Sequence, residues 1–248
     1  LRPHKAVIAN IDNDHLETYA NSFKNLKKSF RKFCLNIPFQ GKLFANGDYQ
    51  EVLEVVENLP RNISLYGFED INDLQILEFT QNKNGSHFVL FDKKNNNKMN
   101  FKTNMIGKHN VLNVAAAIAV ALDEGIPYEG IKRALEKFIV IERRFQLISE
   151  NVFEKDIILI DDYGHHPKEL LVSINTAKEV WPDREILVVF QPHRYTRTKA
   201  LFEDFVSILS DCKNLILLEI YPASEEPIKG YESEDLIKQI KIKNPEAI

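Results

Sequence analysis

Residues 157–168 have the sequence Ile-Ile-Leu-Ile-Asp-Asp-Tyr-Gly-His-His-Pro-Lys, and this stretch decides the fold that we expect. Its apolar start, 157–160, predicts a short strand buried on both faces. Polar side chains follow at once, Gly164 permits a tight bend, and Pro167 suits the first turn of a helix. The stretch therefore predicts a strand–loop–helix unit with polar groups at the carboxyl end of the strand, where ligands bind in open α/β sheets.

The same pattern recurs twice toward the end of the chain. Apolar residues 186–190 precede the polar run 191–198 and a helix predicted over 198–209, and a strand predicted over 215–220 precedes the polar run 221–227. Parallel strands joined by crossover helices bring their carboxyl ends to one edge of a sheet. The side chains expected to line one crevice there are Asp161, Asp162, Tyr163, His165, His166, His193, Arg194 and Arg197.

The first part of the chain has a different order of elements. A strand is predicted over 6–11 and a helix over 16–34, whose basic side chains indicate a solvated face. Three apolar runs between 74 and 101, separated by turn residues, predict a β-meander. The charged patch 142–146 marks the predicted domain boundary, so the sequence predicts an α/β protein with domains over 1–142 and 143–248.

The composition is ordinary for a globular protein, and the charge argues against some classes of partner. Of 248 residues, 44% are hydrophobic and 27% are charged, and the net charge of −4 gives no general attraction to nucleic acid or anionic membranes. No stretch approaches the roughly 20 apolar residues of a membrane span. Cys34 and Cys212 are too few and too far apart for a disulfide framework, which indicates a reducing, cytoplasmic location.

Two motifs in the first part of the chain allow a functional and a structural interpretation. Asp-Asn-Asp-His at 12–15 follows a predicted strand, and it could bind a hard cation or cap the next helix. Gly-Lys-His-Asn at 107–110 is similar to the tail of a phosphate-binding loop, but it lacks the earlier glycine and the Ser or Thr after lysine. Asn110 and Asn113, one turn apart, could contact an adenine edge or cap the helix.

Two arginine pairs in the second part are candidate anion contacts. Arg143 and Arg144 could bind phosphate through bidentate guanidinium donors, or they could be exposed linker charge. Arg194 and Arg197 lie three residues apart at a predicted helix entrance, where phosphate and carboxylate bind readily. Zinc at His165 and His166 is disfavoured because no cysteine or third histidine lies at zinc spacing.

In order along the chain, these motifs resemble those of the Mur ligases of peptidoglycan synthesis, and the last three are typical of the alanine-adding branch. The resemblance covers essentially the whole chain. The matching stretches are Asn-Ile-Asp-Asn-Asp-His (10–15), Gly-Lys-His-Asn-Val-Leu-Asn (107–113), Arg-Arg-Phe-Gln (143–146), Asp-Asp-Tyr-Gly-His-His-Pro (161–167), Phe-Gln-Pro-His-Arg-Tyr-Thr-Arg-Thr (190–198) and Tyr-Pro-Ala-Ser-Glu-Glu-Pro (221–227).

The resemblance implies a domain assignment. Residues 1–142 would be the latter part of the central ATP-binding domain, and residues 143–248 most of a Rossmann-like C-terminal ligase domain with a mostly parallel sheet. The UDP-binding domain, the Gly-Lys-Thr phosphate loop and the last C-terminal elements are expected to lie outside this chain. Several relatives carry a carbamylated lysine near position 30, where this chain has Phe30, as in the alanine-adding branch.

The resemblance also implies an activity: ATP-dependent, magnesium-dependent joining of L-alanine to UDP-N-acetylmuramate through an acyl phosphate, for which this chain alone is expected to be inactive. The implied roles are a metal ligand at His15; nucleotide contacts at His109, Asn110, Asn113, Arg144 and Asp162; and substrate or catalytic contacts at Tyr163, His165, His193, Arg194 and Arg197. The alternatives are a ligase that recycles a preformed tripeptide, or a non-catalytic fragment that binds nucleotide or alanine. The sequence indicates no oligomeric state.

Overall fold

The computed structural model describes residues 2–13, 16–138, 141–152 and 154–246. The chain forms two compact units, Leu1–Ile139 and Val140–Ile248. Each unit has its own buried hydrophobic core. Among the helices of the described residues, none combines the length and apolar character that crossing a membrane requires.

The first unit contains one sheet flanked by helices. Its strands are β1 (Lys5–Ile8), β2 (Lys42–Asn46), β3 (Asn62–Gly67), β4 (Leu74–Asn82), β5 (Gly85–Asp92) and β6 (Asn97–Thr103). Its α-helices are α1 (Phe23–Leu35), α2 (Gln50–Val56), α3 (Lys108–Asp123) and α4 (Tyr128–Glu136), and a 3-10 helix spans Leu16–Tyr19.

The strand order of this sheet is the order along the chain. Strands β1 to β4 pair in parallel, whereas β4, β5 and β6 pair antiparallel. The predicted β-meander is therefore confirmed, with an irregularity between Leu77 and Thr80. Parallel pairs linked by helices, followed by a meander, confirm the predicted α/β class.

Alternation along β2 shows how the sheet divides the core of the first unit. Leu43 packs with α1 and α2, while its neighbour Phe44 packs with the alanine-rich helix α3. Successive side chains of a strand point to opposite faces, so the sheet separates two helical layers. The small residues of α3, such as Ala115, let it lie close to the sheet, and Ala115 is fully buried.

The second unit is also α/β, with shorter strands. Its strands are β7 (Gln146–Ser149), β8 (Leu159–Asp161), β9 (Leu187–Phe190) and β10 (Asn214–Leu217). Its helices are α5 (Pro167–Val180), α6 (Tyr195–Ala200), α7 (Phe202–Leu209) and α8 (Ser233–Lys243). Strands β9 and β10 pair in parallel, and their inward residues pack on α5, α7 and α8. Pro167 occupies the first turn of α5, as predicted.

The prediction that 157–160 forms a strand buried on both faces is wrong. Strand β8 is only Leu159–Asp161, and Leu159 is 45% exposed. It pairs antiparallel with β7 and not, within the described residues, with β9. The expectation of three parallel strands in one sheet therefore holds for β9 and β10 alone. A strand in a two-stranded antiparallel sheet needs only one covered face, which explains the exposure.

Two long helices predicted from periodicity are broken in the structure. The helix predicted over 16–34 is a 3-10 helix followed by α1, because Ala20 and Asn21 adopt positive φ values of 54° and 52°. The helix predicted over 198–209 is interrupted at Leu201, whose backbone (φ −118°, ψ 23°) leaves helical geometry while its side chain enters the core.

Candidate active site

Aromatic side chains at the carboxyl ends of β8, β9 and β10 form a continuous row. The ring centroids of Tyr163 and His165 are 5.3 Å apart, those of His165 and His193 6.1 Å, and those of His193 and Tyr221 5.2 Å. The guanidinium carbon of Arg143 lies 4.9 Å from the Tyr163 ring centroid. The structure thus brings together predicted site residues of the loops after β8 and β9, although β8 lies outside the parallel pair, and it adds Tyr221 from the loop after β10.

His165 has a defined hydrogen-bonding arrangement. Its Nδ1 lies 3.1 Å from the carbonyl oxygen of Tyr163. A carbonyl can only accept a hydrogen bond, so Nδ1 carries a proton, and Nε2 is the nitrogen that faces other partners. The carboxylate of Glu169 accepts hydrogen bonds from the backbone N–H groups of His165 (3.0 Å) and His166 (3.1 Å). These contacts orient His165 at the start of α5.

His166, expected in the crevice, acts as a helix cap. It is the N-cap of α5, and its Nδ1 accepts a hydrogen bond from the backbone N–H of Lys168 at 3.3 Å. Glu169 completes a capping box with it. The side chain is 8% exposed, so its main contribution is to start α5 at a fixed position.

Asp162 ties the loop before β7 to the loop after β8. One carboxylate oxygen accepts a hydrogen bond from the backbone N–H of Phe145 (2.8 Å) and the other from that of Gly164 (2.6 Å). The ring of Phe145 is buried and stacks on Trp181. Arg144, which is predicted to contact phosphate, precedes Phe145 in this loop. Its Nη1 atom lies 3.9 Å from Oε1 of Glu169.

Arg194 has an unusual backbone conformation, with φ 73° and ψ 135°. Non-glycine residues avoid this region at a cost of about 1–3 kcal/mol, so surrounding contacts must hold it. Its N–H donates to the carbonyl oxygen of Tyr221 (2.9 Å). Its carbonyl oxygen accepts from the N–H (3.1 Å) and hydroxyl (2.9 Å) of the fully buried Thr198.

Arg197 and His193 form a pair at the centre of the aromatic row. The Nη1 atom of Arg197 donates to the His193 carbonyl oxygen at 3.3 Å and to its Nδ1 at 3.4 Å. Burial lowers the pKa of His193 below its ordinary value, and the positive charges of Arg197, Arg194 and protonated His165 add to this effect. The imidazole of His193 is therefore neutral at neutral pH, and because Nδ1 accepts from Arg197, Nε2 carries the proton.

Glu225 is a site residue that the sequence interpretation did not single out. One carboxylate oxygen accepts from the backbone N–H of Thr196 (2.9 Å), and the other from its hydroxyl (2.7 Å). Burial acts to raise the pKa of Glu225, but the Thr196 hydrogen bonds and the charge of Arg194 leave it below its ordinary value. Glu225 and Tyr221 belong to the 221–227 motif, but nothing in its spacing indicates these contacts.

The predicted nucleotide residues of the first unit lie in the first two turns of α3. Asn110 is 2% exposed, and its Nδ2 donates to the carbonyl oxygen of Ile106 at 2.7 Å. Asn113 is exposed, and His109 is partly buried. The N-cap of α3 is Gly107, so neither asparagine caps this helix and that alternative is wrong.

The predicted metal ligand, His15, lies outside the described residues, as does Asp14. Within residues 2–13, 16–138, 141–152 and 154–246, no three His, Cys, Asp or Glu side chains group as metal ligands.

Two α/β units, the second with polar side chains at the carboxyl ends of its strands, define the structural class, and comparison with known proteins gives the family. The model of the Mur ligase middle domain matches residues 1–121, and that of the Mur ligase C-terminal, glutamate ligase domain matches residues 143–248. The chain belongs to the Mur ligase family, which confirms the resemblance.

Individual relatives agree with this placement. The UDP-N-acetylmuramate–L-alanine ligase of Psychrobacter arcticus is 40% identical over 98% of this chain and 51% of its own length. The crystal structure of UDP-N-acetylmuramate–alanine ligase MurC from Thermotoga maritima has a TM-score of 0.72 at 24% identity, over 98% of this chain and 50% of that one. MurF ligase from Thermotoga maritima in complex with ADP has a TM-score of 0.67 at 15% identity, over 87% of this chain and 48% of that one.

These structural likenesses show the fold, and the chain spans about half the length of the curated relatives it matches.

Proposed function

We propose that this chain is part of an ATP-dependent ligase that joins L-alanine to UDP-N-acetylmuramate. The observation that carries the proposal is the 40% identity, over nearly the whole chain, to a protein named for that reaction. The 98% coverage of this chain includes the loops that hold the aromatic row and the two arginines. The tripeptide-recycling and non-catalytic alternatives have no comparable observation in their favour.

The proposed reaction makes an amide from a carboxylate and an amine. A carboxylate oxygen of the muramoyl group bonds to the γ-phosphorus of ATP while the bond from that phosphorus to the ADP oxygen breaks. The alanine nitrogen then bonds to the acyl carbon, the phosphate leaves with its bonding electron pair, and the nitrogen loses a proton. Both steps gather negative charge on oxygen, so positioned cations lower their barriers.

The arginines of the 190–198 loop are suited to bind that charge. Guanidinium groups match carboxylate and phosphate oxygens with paired donors. Arg194 and Arg197 are therefore assigned to the reacting carboxylate and the acyl phosphate. Arg194 is exposed and Arg197 half-buried, so both side chains can reach a ligand at the strand ends.

The histidines and Tyr163 are assigned to the alanine. His193 is neutral because burial and Arg197 lower its pKa, and since Nδ1 accepts from Arg197, its Nε2–H is assigned to donate a hydrogen bond to the substrate. His165 is held with Nδ1 toward a carbonyl oxygen, which leaves Nε2 for a second hydrogen bond. Tyr163, 44% exposed beside His165, completes the contact surface.

The nucleotide contacts are assigned to polar residues of α3 and of the loops beside β7 and β8. Asn113 is exposed, and the Asn110 amide has a second N–H and an acceptor oxygen besides its bond to Ile106. With His109, they are assigned to adenine. A carboxylate has about four acceptor positions, and Asp162 uses two, which leaves capacity for a ribose hydroxyl. Arg144 is assigned to phosphate.

Magnesium would neutralise phosphate charge, and its one proposed ligand in this chain is His15.

We assign residues 1–142 to the latter part of the ATP-binding domain and 143–248 to the ligase domain. The two cysteines described are free and buried, which agrees with a cytoplasmic location.

The test is an assay of the complete gene product with ATP, magnesium and UDP-N-acetylmuramate, offered radiolabelled alanine, a preformed tripeptide or glutamate. We expect product and phosphate release with alanine. Arg197→Ala should lower kcat/KM by about tenfold to a hundredfold, as expected for loss of a charged contact. Lys199→Ala, which removes an exposed cation from the same helix, should not. Preference for the tripeptide, or full activity of Arg197→Ala, would contradict the assignment.

A further inference from the structure

The loops that follow β9 and β10 are tied together beyond the ends of the strands. The N–H of Tyr221 donates to the carbonyl oxygen of Pro192 (2.8 Å), and the N–H of Arg194 donates to the carbonyl oxygen of Tyr221 (2.9 Å). His193 and Tyr221 form a parallel bridge, and their rings stack. The parallel pairing of the strands thus continues into the loop that carries the arginines.

A tight turn brings Glu225 to that loop. The N–H of Glu225 donates to the carbonyl oxygen of Pro222 (2.9 Å), and Ala223 and Ser224 have positive φ values of 49° and 70°. The carboxylate reaches both donors of Thr196, the N–H at 2.9 Å and the hydroxyl at 2.7 Å. Two residues with strained backbone therefore form the turn that places the Glu225 carboxylate against both donors of Thr196.

Thr196 lies between Arg194 and Arg197, so a contact there controls both. The turn at Arg194 is held on one side by Tyr221 and on the other by the buried hydroxyl of Thr198. The Glu225 carboxylate holds the middle. Short hydrogen bonds to a carboxylate are about twice as strong as bonds between neutral groups.

We propose that Glu225 is a positioning residue for the ligase reaction: by binding the N–H and hydroxyl of Thr196, it fixes the turn from which Arg194 and Arg197 reach the reacting groups. The inference rests on the proposed function, because that function gives the arginines their role. Glu225 itself acts through Thr196. The charge of Arg194 also helps to hold the pKa of Glu225 below its ordinary value.

Glutamine at position 225 is a sharp test because it keeps the size of the side chain. Its neutral amide has one acceptor oxygen and a nitrogen that can only donate, so the two donors of Thr196 no longer each bind a separate oxygen of a carboxylate, and both charge-assisted hydrogen bonds are lost. Glu226→Gln is the matched control: it makes the same change at the neighbouring residue, which is exposed. Thr196→Val removes the hydroxyl contact while keeping Glu225, and it serves if Glu225→Gln does not fold.

The experiment measures steady-state kinetics of the complete gene product and hydrogen exchange of the Thr196 amide by mass spectrometry. We expect Glu225→Gln to lower kcat by about tenfold to a hundredfold, with the KM for ATP and the Tm unchanged. Glu226→Gln should match wild type. In the double variant Glu225→Gln/Thr196→Val the fall in kcat should be smaller than the product of the two single falls, because both changes act on the same contact.

Failure of this inference and failure of the proposed function give different results. If wild type ligates alanine and Glu225→Gln keeps its kcat, the positioning role is wrong and the proposed function stands. If wild type forms no alanine product, the proposed function is wrong. Faster exchange of the Thr196 amide in Glu225→Gln supports the contact whatever the activity. Equal exchange rates in the two proteins overturn it.

Discussion

The backbone of Arg194 shows conformational strain kept at a single residue. Its φ of 73° and ψ of 135° lie close to a region used almost only by glycine. Hydrogen bonds from Arg194 to Tyr221 and from Thr198 to Arg194 hold the residue there. Because the side chain is assigned to the reacting anion, glycine would relieve the strain at the expense of activity.

Substitution of Arg194 by glycine and by alanine should separate strain from side-chain function. Alanine keeps the Cβ atom that disfavours positive φ, whereas glycine removes it. We expect Arg194→Gly to exceed Arg194→Ala in free energy of unfolding by about 1 kcal/mol. Both variants should lose ligase activity, since neither has a guanidinium. Urea denaturation gives the first quantity and alanine-dependent phosphate release the second; equal stabilities would show that the backbone is not strained.

The lowered pKa of His193 makes a prediction about pH. Its imidazolium form is less favourable in the folded protein than in the unfolded chain, whose histidine pKa is about 6.5. The unfolded state therefore binds more protons below that pH, and the His193 contribution to stability falls as pH drops from about 6.5 toward the folded pKa. Above this window the contribution is constant.

Removal of the Arg197 charge should raise the folded pKa of His193. The measurement is an NMR titration of the imidazole in wild type and Arg197→Gln, where the midpoint should move up toward 6.5. Lys199→Gln removes a positive charge from the same helix without this contact, and its midpoint should equal that of wild type. An unchanged midpoint in Arg197→Gln would mean that the arginine charge does not act on His193.

At the scale of elements, two arginines bind the carbonyl groups at the C-terminal ends of α1 and α2. Arg31, on α1, donates to the carbonyl oxygens of Val55 and Glu57 at the end of α2, each at 2.8 Å. Arg61, which follows α2, donates to the carbonyl oxygen of Leu35 at the end of α1 at 2.6 Å. The last carbonyl groups of a helix have no hydrogen-bond donor within it. Arg31 supplies donors to those of α2, and Arg61 supplies one to those of α1. The basic face of α1 is therefore only partly a solvated surface.

Arg31→Met should lower the free energy of unfolding of the first unit far more than Lys28→Met does. Lys28 is an exposed cation on the same helix and serves as the control. Loss of charged hydrogen bonds to buried or half-buried carbonyls costs about 1–3 kcal/mol. Arg31→Lys should recover only part of this, because an ammonium lacks the planar fork that reaches two carbonyls at once. Differential scanning calorimetry compares the three variants, and a Tm of Arg31→Met equal to that of Lys28→Met would refute the capping role.

The elements that the sequence predicts well are those with local signals. Turn residues define the meander of β4 to β6, and apolar runs followed by polar residues define the ends of β9 and β10. The break at Leu201 carries no such signal, because its side chain enters the core from a position of ordinary helical periodicity. The break at Ala20 and Asn21 has a local signal that periodicity misses, since Ser22 caps α1. The exposure of β8 depends on which strand it pairs with, and that is also a tertiary property.

The candidate site divides in the same way. His165, His193 and Arg197 could be predicted because polar residues after strands meet at the strand ends. The contact of Glu225 with Thr196 could not, since the two residues are far apart in sequence and follow different strands. It depends on the positive φ of Ala223 and Ser224, which no residue pattern in that turn requires. His166 was assigned to the crevice by type, but its position makes it a cap.

At the scale of the whole molecule, the groups proposed for one reaction are spread over both units. The adenine contacts are assigned to α3 in the first unit, and the arginines and histidines to the second. Neither unit contains a complete set, and the chain itself spans about half the length of its curated relatives.

Residues 1–248 by themselves should not ligate alanine. No Gly-x-x-x-x-Gly-Lys-Ser/Thr occurs among them, since Gly41-Lys42 is followed by Leu43 and Gly107-Lys108 by a histidine. Such a loop neutralises the β- and γ-phosphates during transfer. Lys42 cannot substitute for it, because its ammonium is paired with Asp123 at 2.8 Å. Without such a loop, Asn110, Asn113 and Asp162 are assigned only to the adenosine end of ATP, and the arginines supply no cradle of backbone N–H groups for its phosphates.

The test compares purified 1–248 with the complete gene product in ATP, magnesium, UDP-N-acetylmuramate and alanine, with phosphate release and product as readouts. Circular dichroism of the shorter protein controls for folding. We expect no product from 1–248, because an enzyme realises remote binding energy at the reacting centre only when the parts that bind the substrate are present. Loss of one group that stabilises the transition state lowers turnover by about a hundredfold or more. Turnover of 1–248 within that range of the complete protein would therefore show that the phosphate-neutralising groups lie within these residues.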